Sequence, residues 1–147
     1  MDSLNFSKRF AFLFASAALL LSSAAFALGE KVSPEATEEV RLASAREKLS
    51  SQPDTVVVYA KGLCCPSCAI GIRKKISKLE FVDRSRFNKG VELDTKTQLV
   101  SVAVRKGSEA NYDSLAKAVD DAGYDPARAY FLNGSELSTR SIALAVN

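Results

Sequence analysis

The sequence predicts an α+β domain: a four-stranded antiparallel sheet with two helices on one face, in the order β-α-β-β-α-β. Three observations predict it. Runs rich in β-branched and aromatic residues at 55–61 (TVVVYAK), 99–105 (LVSVAVR) and 127–132 (ARAYFL) read as strands. Apolar residues recur at helical spacing twice, as Ile72, Ile76 and Leu79 and as Tyr112, Leu115, Ala116, Val119 and Ala122. Turn formers separate these runs: Gly62, then Asp94-Thr95-Lys96-Thr97, then Gly123, then Asn133-Gly134-Ser135.

Composition sets the frame for this fold. The chain has 147 residues, 47% apolar and 25% charged, which is ordinary globular usage and enough for one domain. A disordered, collagen-like or low-complexity protein is excluded. The formal charge of +3, from 20 basic and 17 acidic residues, is too balanced for nucleic acid to be the main partner. There is no histidine, so Ser-His-Asp, Cys-His and His-metal sites are excluded together.

In chain order, residues 1–27 read as a secretory signal peptide. Lys8 and Arg9 supply its positive start, 10–21 is an apolar run of 12 residues interrupted only by Ser16, and Ala25-Phe26-Ala27 has the small-x-small form that precedes cleavage. Cleavage is expected after Ala27, with export across the inner membrane to the periplasm. An uncleaved membrane anchor is the alternative reading. Residues 28–54 form a helical extension and linker. Ser33-Pro34 resembles an N-cap with proline at the first helical position, and the helix is expected over 34–49. Its apolar stripe, Val40, Leu42, Ala43, Ala45 and Leu49, is thin, which reads as a spacer or a weakly docked arm.

The denser block is 55–132. After the first strand, 62–67 is a loop and a helix runs from Cys68 to about Glu80. Val91 and Leu93 alternate with polar residues as one arm of a hairpin whose other arm is 99–105. Gly107-Ser108 opens the second helix and Gly123 closes it, as glycine does past a helix end. The last strand follows. This order is the split βαβ, ferredoxin-like sandwich. Its expected core is Val56, Val58, Ala60, Ile72, Ile76, Leu79, Val100, Val102, Leu115 and Val119. The connection from Leu79 to Gly90 is long and charged, and 133–147 reads as a featureless tail.

All three cysteines lie within Gly62-Leu63-Cys64-Cys65-Pro66-Ser67-Cys68, between a strand and a helix. A bridge closing so small a loop removes little unfolded-state entropy, so these thiols point to chemistry rather than stapling. Cys65 and Cys68 form a C-x-x-C pair that wraps into a first helical turn, where backbone N–H groups and the helix dipole favour thiolates. Two soft thiolates suit Cu(I) and Hg(II), with Zn(II) and Cd(II) also in range. Two ligands do not fill a structural zinc site. An open site of this kind is suited to taking up an ion and handing it on.

The segment 55–132 resembles a heavy-metal-associated domain, the module of copper chaperones, metal-pumping ATPases and periplasmic mercury-binding proteins. The resemblance rests on Gly62-Leu63-x-Cys65-x-x-Cys68, on Ile72 and Ile76, and on Gly123-Tyr124 after the second helix. It implies the ferredoxin-like fold, metal ligation by Cys65 and Cys68, and transfer by thiolate exchange with a partner's cysteine pair. Leu63 stands where the family has methionine. That residue packs inward, and with Tyr124 it is a candidate for shielding the ion. Cys64 is extra: it is either a third ligand or a bystander, and adjacent loop residues seldom aim at one ion.

Arg73, Lys74, Lys75 and Lys78 read as a solvated basic helix face or as a docking site for a partner. The expected partner is a metal-donor or metal-acceptor protein, a membrane transporter among the candidates. The chain is expected to be a monomer without its ion and not an enzyme. The rival reading is a thiol-disulfide oxidoreductase using Cys65-Pro66-Ser67-Cys68, against which stands the β-α-β-β-α-β order.

Overall fold

Near-continuous burial along the strands at 55–60 and 99–103 organises the molecule. The computed structural model describes residues 35–67 and 69–144. The expected leader, Ser33-Pro34 and Cys68 lie outside the described residues. The elements are α1 (Glu38–Ser51), β1 (Thr55–Lys61), α2 (Ala69–Ile76), β2 (Val91–Asp94), β3 (Leu99–Ala103), α3 (Tyr112–Asp120), β4 (Asp125–Asn133) and β5 (Glu136–Ser141). The fold is α+β, and the strands form one antiparallel five-stranded sheet in the order β2-β3-β1-β4-β5. Among the described residues, no helix is long and apolar enough to cross a membrane.

Alternation along β1 divides its side chains between two cores. Val56, Val58 and Ala60 join Ile72, Ile76, Val100, Val102, Leu115 and Val119 beneath α2 and α3. Val57 faces the other way and joins Ala45, Leu49, Leu99 and Tyr130 beneath α1. Nine of the ten expected core residues are buried, and Leu79 is partly buried against the same cluster.

The second core corrects the reading of α1 as a spacer or loosely docked arm. Ala45 and Leu49 are one turn apart and both buried, with Leu42 partly buried beside them. Val40, expected in the stripe, is exposed instead. Polar contacts hold both ends of the helix. Arg41 stacks 4.0 Å over the Tyr59 ring, Arg128 pairs with Glu38, and Lys48 lies 3.6 Å from Asp94. Thr37, rather than Ser33, caps the helix, its hydroxyl accepting from the Val40 N–H at 3.5 Å.

The sheet has five strands where four were expected, because the presumed tail pairs. β5 runs in register along β4 from Asn133↔Glu136 to Arg128↔Ser141. Gly134, at φ +63°, opens the two-residue loop between them, as the hairpin turns that match strand twist require.

Helix boundaries are narrower than periodicity implied. α2 ends at Ile76; the Ser77 N–H still reaches the Arg73 carbonyl at 2.9 Å, and the chain then tightens, with the Lys78 N–H on the Lys75 carbonyl at 3.3 Å and the Leu79 N–H on the Ile76 carbonyl at 3.0 Å. α3 begins at Tyr112, where the Asn111 side chain accepts from the Ser114 N–H at 2.9 Å, and not at Gly107-Ser108. Gly123 closes it at φ +87°, and the Tyr124 N–H reaches back to the Val119 carbonyl at 3.2 Å.

The charged connection between α2 and β2 is folded onto the sheet. Phe81 and Val82 are buried, the Asp83 N–H donates to the Ala103 carbonyl at 2.9 Å, and the Arg105 N–H donates to the Phe81 carbonyl at 2.8 Å. Gly90 closes this connection at φ +85°. A Cβ there would lie 2.3 Å from Val82 Cγ1 and 2.8 Å from the Asp83 carbonyl oxygen.

Candidate metal-binding loop

The cysteine loop leaves the centre of the sheet. β1 ends at Lys61, which pairs with Asp125 at the start of β4. Gly62, at φ +86°, turns the chain, and the Leu63 N–H donates to the Ala60 carbonyl at 3.3 Å. The turn drives Leu63 inward: it is fully buried in the core under α2 and α3. The next residues are therefore forced out to the surface.

Cys64 is exposed and free, whereas Cys65 is half-buried and disulfide-bonded. The two adjacent cysteines thus have different surroundings. The Ser67 hydroxyl lies 3.4 Å from Cys65 Sγ. A disulfide sulfur has no proton, so the hydroxyl is the donor. Ser67 was not singled out from sequence, where it is only the second x of C-x-x-C.

Tyr124 belongs to the same end of the sheet, between the close of α3 and the start of β4. Its ring is partly buried against the core. Burial pushes the phenol above its ordinary value, and negative charge on the neighbouring Cys64 adds to the rise. The fold therefore brings Tyr124 into electrostatic reach of the loop, 60 positions away in sequence from Cys64.

The four basic residues of the first helix do not act as one face. Arg73, Lys74 and Lys78 line a common surface with Ile70 and Ser77, the i, i+3, i+4, i+7, i+8 stripe of one helix side. Lys75 is rotated away from it. Its charge acts on Asp121, whose carboxyl is held below its ordinary value chiefly by the Lys117 ammonium at 2.9 Å.

The loop's donors are sulfur and one hydroxyl, without a carboxylate between Gly62 and Ser67. Among the described residues, no group of three or more Cys, Asp or Glu is gathered to hold an ion. Comparison with protein-family models, with curated proteins and with solved structures gave no match.

Proposed function

We propose that this chain is an exported carrier of a soft metal ion. It takes up Cu(I), Hg(II) or a similarly thiophilic ion, Zn(II) and Cd(II) included, on Cys65 and Cys68, and releases it by thiolate exchange. The observation that carries the reading is the loop itself. A buried Leu63 anchors it, and an exposed Cys64 and a half-buried Cys65 follow between the central strand and a helix. A sulfur-rich, carboxylate-free donor set favours soft ions over hard ones. Surface placement favours exchange with a second protein over permanent storage.

On this reading the chain is a heavy-metal-associated domain. Its first four strands and last two helices form a ferredoxin-like βαββαβ unit, extended by α1 and β5. The strand order β2-β3-β1-β4 supports this, as does the burial of α2 and α3 residues in one core. The chain works in the periplasm as a carrier, not an enzyme. Its partner is a donor or acceptor protein with its own cysteine pair.

The chemistry begins with the oxidised loop. A dithiol reductant delivers two electrons and two protons, converting the disulfide into two thiols. Ion uptake then displaces two protons, so the dithiolate is formed only as the metal arrives. Transfer follows when a partner thiolate joins the ion and one of the chain's sulfurs leaves. Leu63 keeps the loop fixed during this exchange, and Tyr124 covers one side of it.

The bonded state of Cys65 favours a second reading, a thiol-disulfide oxidoreductase using Cys65-Pro66-Ser67-Cys68. One experiment separates the two. The reduced chain is offered Cu(I), Zn(II), Cd(II) and Hg(II) together with competing glutathione, and retained ions are counted by native mass spectrometry. The carrier reading expects one retained ion, lost in Cys65→Ser and Cys68→Ser and kept in Cys64→Ser. No retention, with ready dithiol-disulfide cycling, establishes the oxidoreductase instead. Equal loss in all three variants makes Cys64 a third ligand.

A further inference from the structure

The end of the sheet away from the cysteine loop, where β1 begins and β4 finishes, holds a cleft of about 690 Å³. Leu49, Val104, Tyr112, Phe131 and Leu132 give it an apolar wall that draws on the margins of both cores. The Tyr112 and Phe131 rings lie 5.8 Å apart, centre to centre, within that wall. Charged side chains of both signs complete the lining. Asp54 comes from the turn before β1, Glu109 from the approach to α3, and Arg140 from β5.

These groups are held in place yet left unneutralised. The Arg140 guanidinium carbon lies 5.1 Å from the centre of the Tyr112 ring. Packing on the ring positions the guanidinium, whose forked N–H donors match a carboxylate. Asp54 sits at φ +53°, a backbone region that residues other than glycine seldom occupy. Its carbonyl is held there by the Val104 N–H at 2.7 Å and by Arg86 Nη1 at 3.1 Å. Arg86 also donates to the side chains of Gln52 and Thr55, at 3.4 and 3.2 Å. One side chain outside the cleft thus fixes three residues that line it. Among the described residues, neither the Asp54 carboxylate, the Glu109 carboxylate nor the Arg140 guanidinium takes part in an ion pair or a side-chain hydrogen bond.

We infer that this cleft binds a short free peptide as a zwitterion. The terminal carboxylate is taken by Arg140, the terminal ammonium by Asp54 and Glu109, and a large apolar side chain by the Tyr112–Phe131 wall. Charge complementarity selects that occupant. The lining carries one cation and two anions, so a simple organic anion meets two carboxylates and a simple organic cation meets Arg140. A molecule with both charges satisfies every group. A phosphate-rich ligand is disfavoured, since a single cation lines the cleft. The volume lies within the roughly 300–1,000 Å³ of small-ligand sites, and an apolar wall with a few polar groups converging on it is their usual build. The site goes beyond the carrier reading and does not rest on it, because it shares no residue with the cysteine loop.

The test is isothermal titration calorimetry of the full chain with the tripeptide glycyl-leucyl-phenylalanine. Its C-terminal amide lacks the carboxylate, its N-acetyl form lacks the ammonium, and triglycine lacks the apolar side chains. The wild type should bind the free tripeptide and should bind triglycine far more weakly. Arg140→Gln should weaken the free tripeptide on the order of tenfold and leave the already weaker amide unchanged. Asp54→Asn with Glu109→Gln should do the same for the free tripeptide and leave the N-acetyl form unchanged. All three positions are exposed, and asparagine tolerates the backbone angle of Asp54, so these variants keep the fold. Lys96→Gln removes one positive charge at an exposed position outside the cleft and should bind as the wild type does. No measurable binding by the wild type would overturn the assignment, as would equal affinity for triglycine or equal weakening in Lys96→Gln. An Arg140→Gln effect of the same size on the amide would remove Arg140 as the carboxylate's partner and overturn it too. Self-association of the unliganded chain in sedimentation equilibrium, abolished by Arg140→Gln, would replace the peptide with a second copy.

Discussion

Gly90→Ala should be among the most damaging single-atom-group additions to this fold. Two costs add. At φ +85° an L-residue is in the left-handed region, which costs about 1–2 kcal/mol. The new methyl would also meet Val82 Cγ1 at 2.3 Å and the Asp83 carbonyl oxygen at 2.8 Å, and relief of such overpacking costs roughly 1–3 kcal/mol more. The sum, roughly 2–5 kcal/mol, is a large share of a domain's usual stability of about 5–15 kcal/mol. Gly107→Ala is the matched control. Its φ is +81°, yet nothing lies within 4 Å of an added Cβ, so only the backbone cost applies. Urea unfolding followed by circular dichroism gives both values from the shift in midpoint. Placing Gly90→Ala in a Val82→Ala background removes the side-chain clash but keeps the carbonyl contact. The double variant should therefore recover part of the loss, a coupling on the order of 1 kcal/mol. If Gly90→Ala costs no more than Gly107→Ala, the close approach of Gly90 to Val82 and Asp83 is refuted.

Two further outcomes test the second core. Leu49→Ala should destabilise by about 2–4 kcal/mol, while Val40→Ala on the same helix should stay within about 0.5 kcal/mol of wild type. Equal effects in urea unfolding would mean that α1 is not part of the folded core. Tyr59 makes stability pH-dependent in the alkaline range. Burial first, and then the hydrogen bond to Glu35, push its phenol up to about 12 from 10.0. The fold therefore holds the neutral form. The resulting stabilisation is complete below pH 10 and is lost as pH rises through about 12. Wild type should lose urea resistance more steeply than Tyr59→Phe across that window, and parallel curves would remove Tyr59 from the account. The other tyrosines are present in both proteins and cancel in the comparison.

The helices that carry the strongest periodicity, Ile72 with Ile76 and Leu115 with Val119, were legible because one buried face repeats at a fixed interval. What was misread came from treating the sheet as covered on one side only. TVVVYAK does not alternate apolar with polar, and neither does LVSVA, as they would if one face met water. That unbroken pattern called for a cover on the second face. α1 supplies it with two residues a turn apart, too few to stand out in a helix full of charge. β5 escaped notice for a related reason. ELSTRS has little apolar content because only one of its edges is paired and both of its faces are largely wet. Its signal was the Asn133-Gly134 turn, read as a stop when it was a reversal. At the candidate site, the loop and Gly123-Tyr124 were visible as local strings. The surface that α2 shares with the following connection was not, since Arg84 and Lys89 come beside Arg73, Lys74 and Lys78 only through the folding of that connection.

The hairpin from β4 to β5 has a consequence for how this chain behaves in concentrated solution. Without the last strand, the rim of the sheet would be the nine-residue β4, whose Ala129-Tyr130-Phe131-Leu132 stretch is apolar. Its open hydrogen-bonding groups would invite another molecule to add on, which is how ordered aggregates grow. β5 occupies those groups along their whole length and presents Ser138, Thr139, Arg140 and Ser141 in their place. The opposite rim, β2, is only four residues long and flanked by single bridges, too short to template another strand. A chain that exposes the free Cys64 at one end of its sheet thus has both rims of that sheet guarded against pairing with its own copies.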